Sequence, residues 1–244
     1  MENRKLAKQS PYRNSYMSRA VKTNCALAFE SALERDYFHL LEFDERVSFF
    51  EAQHETTHYQ LGEKDARYTP DFFVVQDGVA FVDEVKPFYK TLDPEFQRTV
   101  RRFTKLFLDK GFHYRVITEK EIYSGERHHN LRFLHPKLGD APPHQEFEQL
   151  CQTLTERQFV VSELQEILPQ HGLSPCLVSR AVAHRLMQAD LFNCQEQAFD
   201  QSVDSPARHS SLISWLKWNT DSIGPKHDCD CNGSRSGDAC LHFG

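Results

Sequence analysis

Tyr68-Thr69-Pro70-Asp71-Phe72-Phe73-Val74-Val75, then Asp77-Gly78, then Val79-Ala80-Phe81-Val82-Asp83-Glu84-Val85-Lys86 is the stretch that decides the fold. Two apolar runs rich in β-branched and aromatic residues flank an Asp-Gly pair, the strongest short-range signal for a two-residue hairpin turn. The runs are therefore expected as adjacent antiparallel strands, with Asp71 and Glu84 near one end of the hairpin. Side chains alternate along a strand, which puts Glu84 and Lys86 on one face and Phe81 and Val85 on the other. One face makes core and the other is free for chemistry.

Two carboxylates brought together push a proton onto one of them unless a cation neutralises the pair. Oxygen-only ligands suit a hard divalent ion such as Mg2+ or Mn2+. Such an ion can turn a bound water into a hydroxide-like nucleophile and stabilise a phosphorane-like transition state. Lys86, two residues beyond Glu84 on the same face, is placed to orient that water or to neutralise a phosphate.

Upstream, Phe29 to Phe43 places apolar groups at Phe29, Leu33, Tyr37, Leu40 and Leu41, the spacing of an amphipathic helix. Glu30 and Glu34 fall one turn apart on its flank. Pro70-Asp71, a gap, then Glu84-Val85-Lys86 resembles the PD-(D/E)XK nuclease superfamily, in which Asp and Glu bind the metal and Lys assists hydrolysis. Ser31-Ala32-Leu33-Glu34, Leu41-Glu42-Phe43-Asp44 with Val47 and Gln53, Thr69-Pro70-Asp71-Phe72 and Glu84-Val85-Lys86-Pro87, in that order, resemble the TnsA family of transposase endonuclease subunits. The likeness is good over residues 29 to 87 and looser to about residue 125. It implies that Glu34, Asp71 and Lys86 fall on catalytic positions, with Glu84 where members carry Gln or Glu. Glu34, Asp71 and Glu84 would then hold Mg2+ or Mn2+. The bland readings stand beside these. Glu34 and Glu30 also read as solvated helix carboxylates, Gln53 as a strand-end backbone partner, Pro87 as a strand terminator, and His54 and His58 as ordinary histidines.

The chain has 244 residues, 39% hydrophobic and 26% charged, room for one large or two small domains of ordinary composition. No apolar run at the N-terminus reads as a signal peptide and no stretch reaches the length of a membrane span, so a cytoplasmic setting is expected. Seven scattered cysteines, an odd number, argue against a disulfide framework.

The net charge of −6 disfavours a nucleic-acid partner, but its distribution does not. Residues 1–22 carry Arg4, Lys5, Lys8, Arg13, Arg19 and Lys22 against Glu2 alone. Residues 86–115 carry eight basic side chains, among them Lys90, Arg98, Arg101, Arg102, Lys105 and Arg115, against three acidic ones. Basic clusters on both sides of a metal-binding motif form a footprint for a phosphate backbone, and solvated faces are the plainer alternative. The second block reads mostly as one helix, with Asp93 as N-cap, Pro94 first, Gly111 ending it, and Phe96, Val100, Phe103 and Phe107 inward. Phe112 to Ile117 reads as the next strand. Hairpin, helix, strand is the order of an α/β core with a mixed sheet.

Residues 125 to 143 read as a connector. Beyond them Phe147, Leu150, Cys151 and Leu154 make one helical stripe. Ser162-Glu163-Leu164-Gln165 reads as a capping box opening a helix with Leu164, Ile167 and Leu168 inward and Gly172 as its C′ residue. Ser174-Pro175 starts a third helix burying Leu177, Val178, Ala181, Val182, Leu186 and Met187. Three short helices suggest a helix-turn-helix or winged-helix unit, in which Ser179, Arg180, His184, Arg185 and Gln188 could read bases. Three arginines against eight carboxylates over residues 144–200 favour protein docking instead. The tail from residue 201 is polar apart from Leu212 to Trp218, a candidate docking peptide or a segment that packs back on the chain. His227, Cys229, Cys231, Cys240 and His242 could bind zinc, but their spacing lacks the usual Cys-X-X-Cys knuckle, and zinc is not expected.

The expected architecture is therefore α/β. A restriction-endonuclease-like mixed-sheet nuclease core with a basic arm spans 1–140, a small winged-helix-like partner-docking domain 141–200, and a flexible tail 201–244. The resemblance implies a metal-dependent DNA endonuclease that cuts the 5′ strands at transposon ends. Its implied partners are double-stranded DNA, a DDE-type transposase and an AAA+ regulator. A stand-alone nuclease in restriction, phage defence or repair, and a non-catalytic DNA- or partner-binding module, are the alternatives.

Overall fold

A computed structural model describes residues 16–154, 158–191 and 215–218, without side chains for 158–162 and 215–218. Lys5, Lys8 and Arg13 of the basic arm, the Ser162 side chain, Cys194 and the cysteines and histidines of the tail lie outside what is described.

The first hairpin, β1 (Tyr16–Ala20) with β2 (Cys25–Phe29), leads into helix α1 (Ala32–Phe43). The helix starts later than its apolar spacing suggests. Ser31 is its N-cap and accepts from the Glu34 N–H, whereas Phe29 pairs with Tyr16 on β2 and Glu30 precedes the helix. Strand β3 (Val47–Ala52) follows, then a separate two-stranded ribbon, β4 (Thr57–Leu61) with β5 (Lys64–Tyr68).

The hairpin expected around Asp77-Gly78 is present as β6 (Phe72–Gln76) and β7 (Val79–Val85), in antiparallel register from Phe72↔Asp83 to Gln76↔Val79. Asp77 has φ 51 and Gly78 φ 77, so both central residues take the left-handed conformation that matches strand twist in such turns. A four-residue helix α2 (Phe88–Thr91) and the long helix α3 (Pro94–Leu108) cross to β8 (His113–Ile117). Asp93 caps α3, accepting from the Glu95 N–H at 3.0 Å. Phe103 and Phe107 are fully inward, but Phe96 and Val100 are only half-buried.

The central sheet runs β3-β6-β7-β8, with β7 and β8 parallel and the other pairs antiparallel. It is the mixed sheet the sequence implies, and parallel pairing follows from a crossover that carries a helix. One face holds Phe72, Val74 and Val85 against Phe29, Phe38 and Phe50 under α1. The other holds Val82 and Phe73 against Phe103 and Phe107 of α3, with Tyr59, Tyr68 and Tyr114.

Residues 125–143 are not a structureless connector. After α4 (Glu119–Ile122) comes α5 (Arg127–Leu134) and a 3-10 turn over His135–Gly139. Leu131 and Leu134 point inward, and the buried Asn130 amide donates to the Leu191 carbonyl at 2.7 Å. Its three apolar residues, Leu131, Phe133 and Leu134, crowd the last turn behind histidines and arginines, so they show no period.

Helix α6 (His144–Thr153) buries Phe147 and Leu150. Strand β9 (Gln158–Val160) runs into α7 (Val161–Ile167), so Ser162 sits inside the first turn rather than at the cap. Leu164 and Leu168 are buried, and Gly172, at φ 69, follows a 3-10 turn. Helix α8 (Leu177–Ala183) is shorter than its apolar run. The backbone turns at Arg185, φ 60, and Met187 opens β10 (Met187–Ala189). Strand β11 (Trp215–Trp218) lies between β10 and β9, antiparallel to both, so this piece of the tail is a sheet strand rather than a free peptide. Leu134, Phe147, Leu164, Leu177, Ala181 and Leu186 share this second core.

Candidate active site

The alternation of β7 sets the geometry. Val82, Glu84 and Lys86 belong to the α3 face of the sheet, and Phe81, Asp83 and Val85 to the α1 face. Asp71 directly precedes Phe72, whose register partner is Asp83, so Asp71 falls opposite Glu84. It accepts on Oδ2 from the Val85 N–H at 2.8 Å, which locks it to the end of the neighbouring strand.

Lys86 joins the carboxylates. Its Nζ lies 3.0 Å from Asp71 Oδ2, 2.6 Å from Glu84 Oε1 and 3.2 Å from the Val85 carbonyl. Three hard oxygens thus converge on one point, filled by an ammonium. Burial alone would lower the Lys86 ammonium, but Asp71 and Glu84 outweigh it and hold its pKa above the ordinary value. Glu84, 8% exposed, is pushed the other way. Burial first and the Asp71 charge second raise its carboxyl, against Lys86 and Tyr68, which stabilise the anion.

Glu34 stands beside this trio without bonding to it. Its Oε1 accepts from the Ser31 hydroxyl at 2.7 Å and its Oε2 from the Glu30 N–H at 2.9 Å, so it also closes the start of α1. It is no solvated helix carboxylate. It is buried, and burial followed by the Asp71 charge raises its pKa, while Lys86 helps to lower it. Among the described residues no three His, Cys, Asp or Glu side chains converge as a preformed metal centre, because Glu34 is turned to its own helix end. The donors still fit a hard divalent ion: the Lys86 ammonium already sits among Asp71, Glu84 and the Val85 carbonyl. Three carboxylates, Glu34, Asp71 and Glu84, stand against this one lysine, and the Asp71 charge adds to burial in raising both Glu34 and Glu84.

Two groups escaped the sequence reading. Tyr68, at the end of β5, donates its hydroxyl to Glu84 Oε2. Burial and then the Glu84 charge push the phenol far above its ordinary range, so it remains a donor. The other is Asp83, fully buried on the opposite face. It pairs with Arg115 through Oδ1 to Nε and Oδ2 to Nη2, both at 2.7 Å, and accepts from the Tyr37 hydroxyl at 2.6 Å. A carboxylate on a face assigned to core was the available signal, since such a group needs a partner. Arg115, counted in the second basic block, is therefore spent inside the fold, stacked 3.7 Å from the Phe81 ring.

The remaining basic residues divide. Arg98, Arg101, Arg102 and Lys105 are exposed along α3, and Lys90 is exposed on α2. Arg19 is exposed on β1 and bonded to Asn24 at 2.8 Å. Lys22 is different: its ammonium donates to the carbonyls of Leu41 at 2.8 Å and Asp44 at 2.7 Å, which commits it to the C-terminus of α1 instead of a phosphate. A cleft of about 780 Å3 on the α1 side, between Leu41, Ile117 and Leu131 and Val182 and Met187, contains none of the four candidate residues.

A mixed sheet carrying Asp71, Glu84 and Lys86 together on one face is consistent with a nuclease-like core. Residues 44–119 match the family model described as the TnsA-like endonuclease N terminal, so this part of the chain is a TnsA-like endonuclease domain. The matched segment contains Asp71, Glu84, Lys86 and all of α3; Glu34 lies before it. A search of curated proteins gave no match. Among the described residues no helix is long and apolar enough to cross a membrane.

Proposed function

We propose that this chain is the metal-dependent DNA endonuclease subunit of a heteromeric cut-and-paste transposase, hydrolysing the 5′ strands at transposon ends in the cytoplasm. The observation that carries the reading is the convergence of Asp71, Glu84 and the Val85 carbonyl on the Lys86 ammonium, within a TnsA-like endonuclease domain. Asp71 and Glu84, with Glu34 turning in from the start of α1, would hold Mg2+ or Mn2+. When bound, that ion supplies Lewis-acid charge for the phosphate and lowers the pKa of water. Lys86, kept charged by its surroundings, orients the attacking water and offsets charge developing on the phosphate. Arg98, Arg101, Arg102 and Lys105, with Lys90 nearby in the chain, track the duplex backbone through counterion release. Lys5, Lys8, Arg13 and Arg19 extend that footprint.

The chain from α6 onward supports a winged-helix reading: helix, strand, two helices, then two strands, in a sheet of order β10-β11-β9. Arg180, one of the five base-reading candidates, is held by Glu146 at 3.0 Å and by the Ala141 carbonyl at 3.1 Å, which supports the docking reading. This domain therefore serves a protein partner, the DDE-type transposase or the AAA+ regulator.

The test uses the full chain with its cognate transposase and regulator on a plasmid bearing transposon ends. Cuts are mapped separately on each strand, in Mg2+ and in EDTA. Cuts on the 5′ strands that need both this chain and Mg2+ are expected. Transposition with no 5′-strand cut, or cutting that survives EDTA, would rule the reading out.

A further inference from the structure

Tyr68 ends the β4–β5 ribbon three residues before Asp71, and its surroundings are more specific than packing requires. Its ring lies 4.2 Å from that of Phe103, 5.9 Å from Phe107 and 6.3 Å from Tyr114, and Tyr59 of the same ribbon meets Phe103 at 5.3 Å. The phenol is thus seated on the inner face of α3, the helix whose outer face carries Arg98, Arg101, Arg102 and Lys105. From that seat the hydroxyl reaches across to Glu84 Oε2, while Glu84 Oε1 faces Lys86.

The terminal torsion of a glutamate is broad and roughly two-fold, so a carboxylate held at one oxygen still swings. Held at both, it does not. We propose that Tyr68 is a positioning residue that fixes the Glu84 carboxylate with Oε1 turned toward Asp71 and the Val85 carbonyl and Oε2 turned away, so that Glu84 presents a single oxygen to a divalent cation. The inference rests on the metal-dependent reading above and adds to it the device that sets the ligand's orientation. Tyr68 touches neither water nor phosphate in this role. It acts through Glu84, and the rigidity of its own ring comes from Phe103 and Phe107. Partners that orient a ligand in this way are typically worth ten- to a hundredfold in metal affinity.

The test is Mn2+ binding by the full chain without DNA, followed by the electron paramagnetic resonance of the free ion. Parent, Tyr68→Phe and Asp71→Ala are compared. Tyr68→Phe keeps the ring and removes only the hydroxyl. The expected result is binding by the parent, loss in Asp71→Ala, and a dissociation constant about ten- to a hundredfold weaker in Tyr68→Phe. A merely structural tyrosine would shift the melting temperature and leave that constant alone. Equal constants in parent and Tyr68→Phe overturn the inference while leaving the metal site standing. No binding by the parent, or full binding by Asp71→Ala, overturns the metal reading and the inference with it. If Tyr68→Phe fails to fold, Phe103→Leu loosens the ring's seat and keeps the hydroxyl. It must weaken Mn2+ binding in the same direction, and an unchanged constant overturns the inference.

Discussion

Asp83→Ala should destabilise the chain strongly and leave Mn2+ binding intact, whereas its neighbour Glu84→Ala should abolish Mn2+ binding at a smaller cost in stability. Asp83 has three bonds of 2.6 to 2.7 Å, and its side chain is fully buried. Truncation strands the Tyr37 hydroxyl, in a residue only 7% exposed, and a buried unpaired donor costs about 1–3 kcal/mol. The orphaned Arg115 costs less than a fully buried charge. Its side chain is 28% exposed, and it keeps the Gln76 Oε1 bond at 2.9 Å and the Phe81 ring. The total falls at the lower end of the range for breaking a buried pair, about 3 kcal/mol, or a fall of roughly 6–12 °C in melting temperature for a chain of this size. Glu84→Ala instead removes a carboxyl that burial and Asp71 already disfavour in its charged form, which offsets part of the loss of its bonds to Tyr68 and Lys86, so the melting temperature should fall by less than for Asp83→Ala while Mn2+ binding is lost. Thermal melts followed by near-ultraviolet circular dichroism, with Mn2+ titrations on the same samples, read both effects. A shift under about 2 °C for Asp83→Ala together with lost metal binding would refute the assignment of the two faces.

Three further outcomes test the electrostatics. Replacing Arg101, Arg102 and Lys105 with alanine should weaken binding to duplex DNA and flatten its salt dependence by up to about one unit of slope per lost contact. Lys22→Met should instead lower stability by about 1 kcal/mol, a value reduced for its half-exposed position, and leave DNA affinity unchanged in a fluorescence anisotropy titration. His39 is buried, and burial followed by His135 lowers its pKa to about 3. A depressed imidazole contributes stability that is present above the unfolded value of 6.5 and lost as pH falls toward 3. The parent should therefore lose about 2 kcal/mol relative to His39→Gln between pH 8 and pH 5 in urea melts, and parallel pH profiles for the two would contradict the burial argument.

Much of this architecture is legible because the signals are local. The Asp-Gly turn fixes the register of β6 and β7, and alternation along β7 then puts Glu84 and Lys86 on one face, with Asp71 facing Glu84 from the neighbouring strand. The N-cap of α3 and its Phe103–Phe107 stripe also follow from neighbouring residues. What was missed depends on partners remote in sequence. Asp83 finds Tyr37 from 46 positions back and Arg115 from 32 ahead, so neither the pair nor the removal of Arg115 from the basic surface is visible without the sheet. Lys22 looked like one more basic residue until the end of α1 came within reach of its ammonium. Tyr68 reads as an ordinary strand aromatic, because only the α3 packing carries its hydroxyl to Glu84. The strands β9, β10 and β11 are three or four residues long, too short for a period, and each depends on the others to exist.

In the proposed function Lys86 acts in hydrolysis rather than merely bridging Asp71 and Glu84. Strand-resolved cutting of transposon ends by the assembled system in Mg2+, comparing the parent with Lys86→Ala, tests this most directly. Lys86→Ala is expected to assemble on DNA and leave the 5′ strands uncut. Cutting at the parental rate by Lys86→Ala would contradict that role.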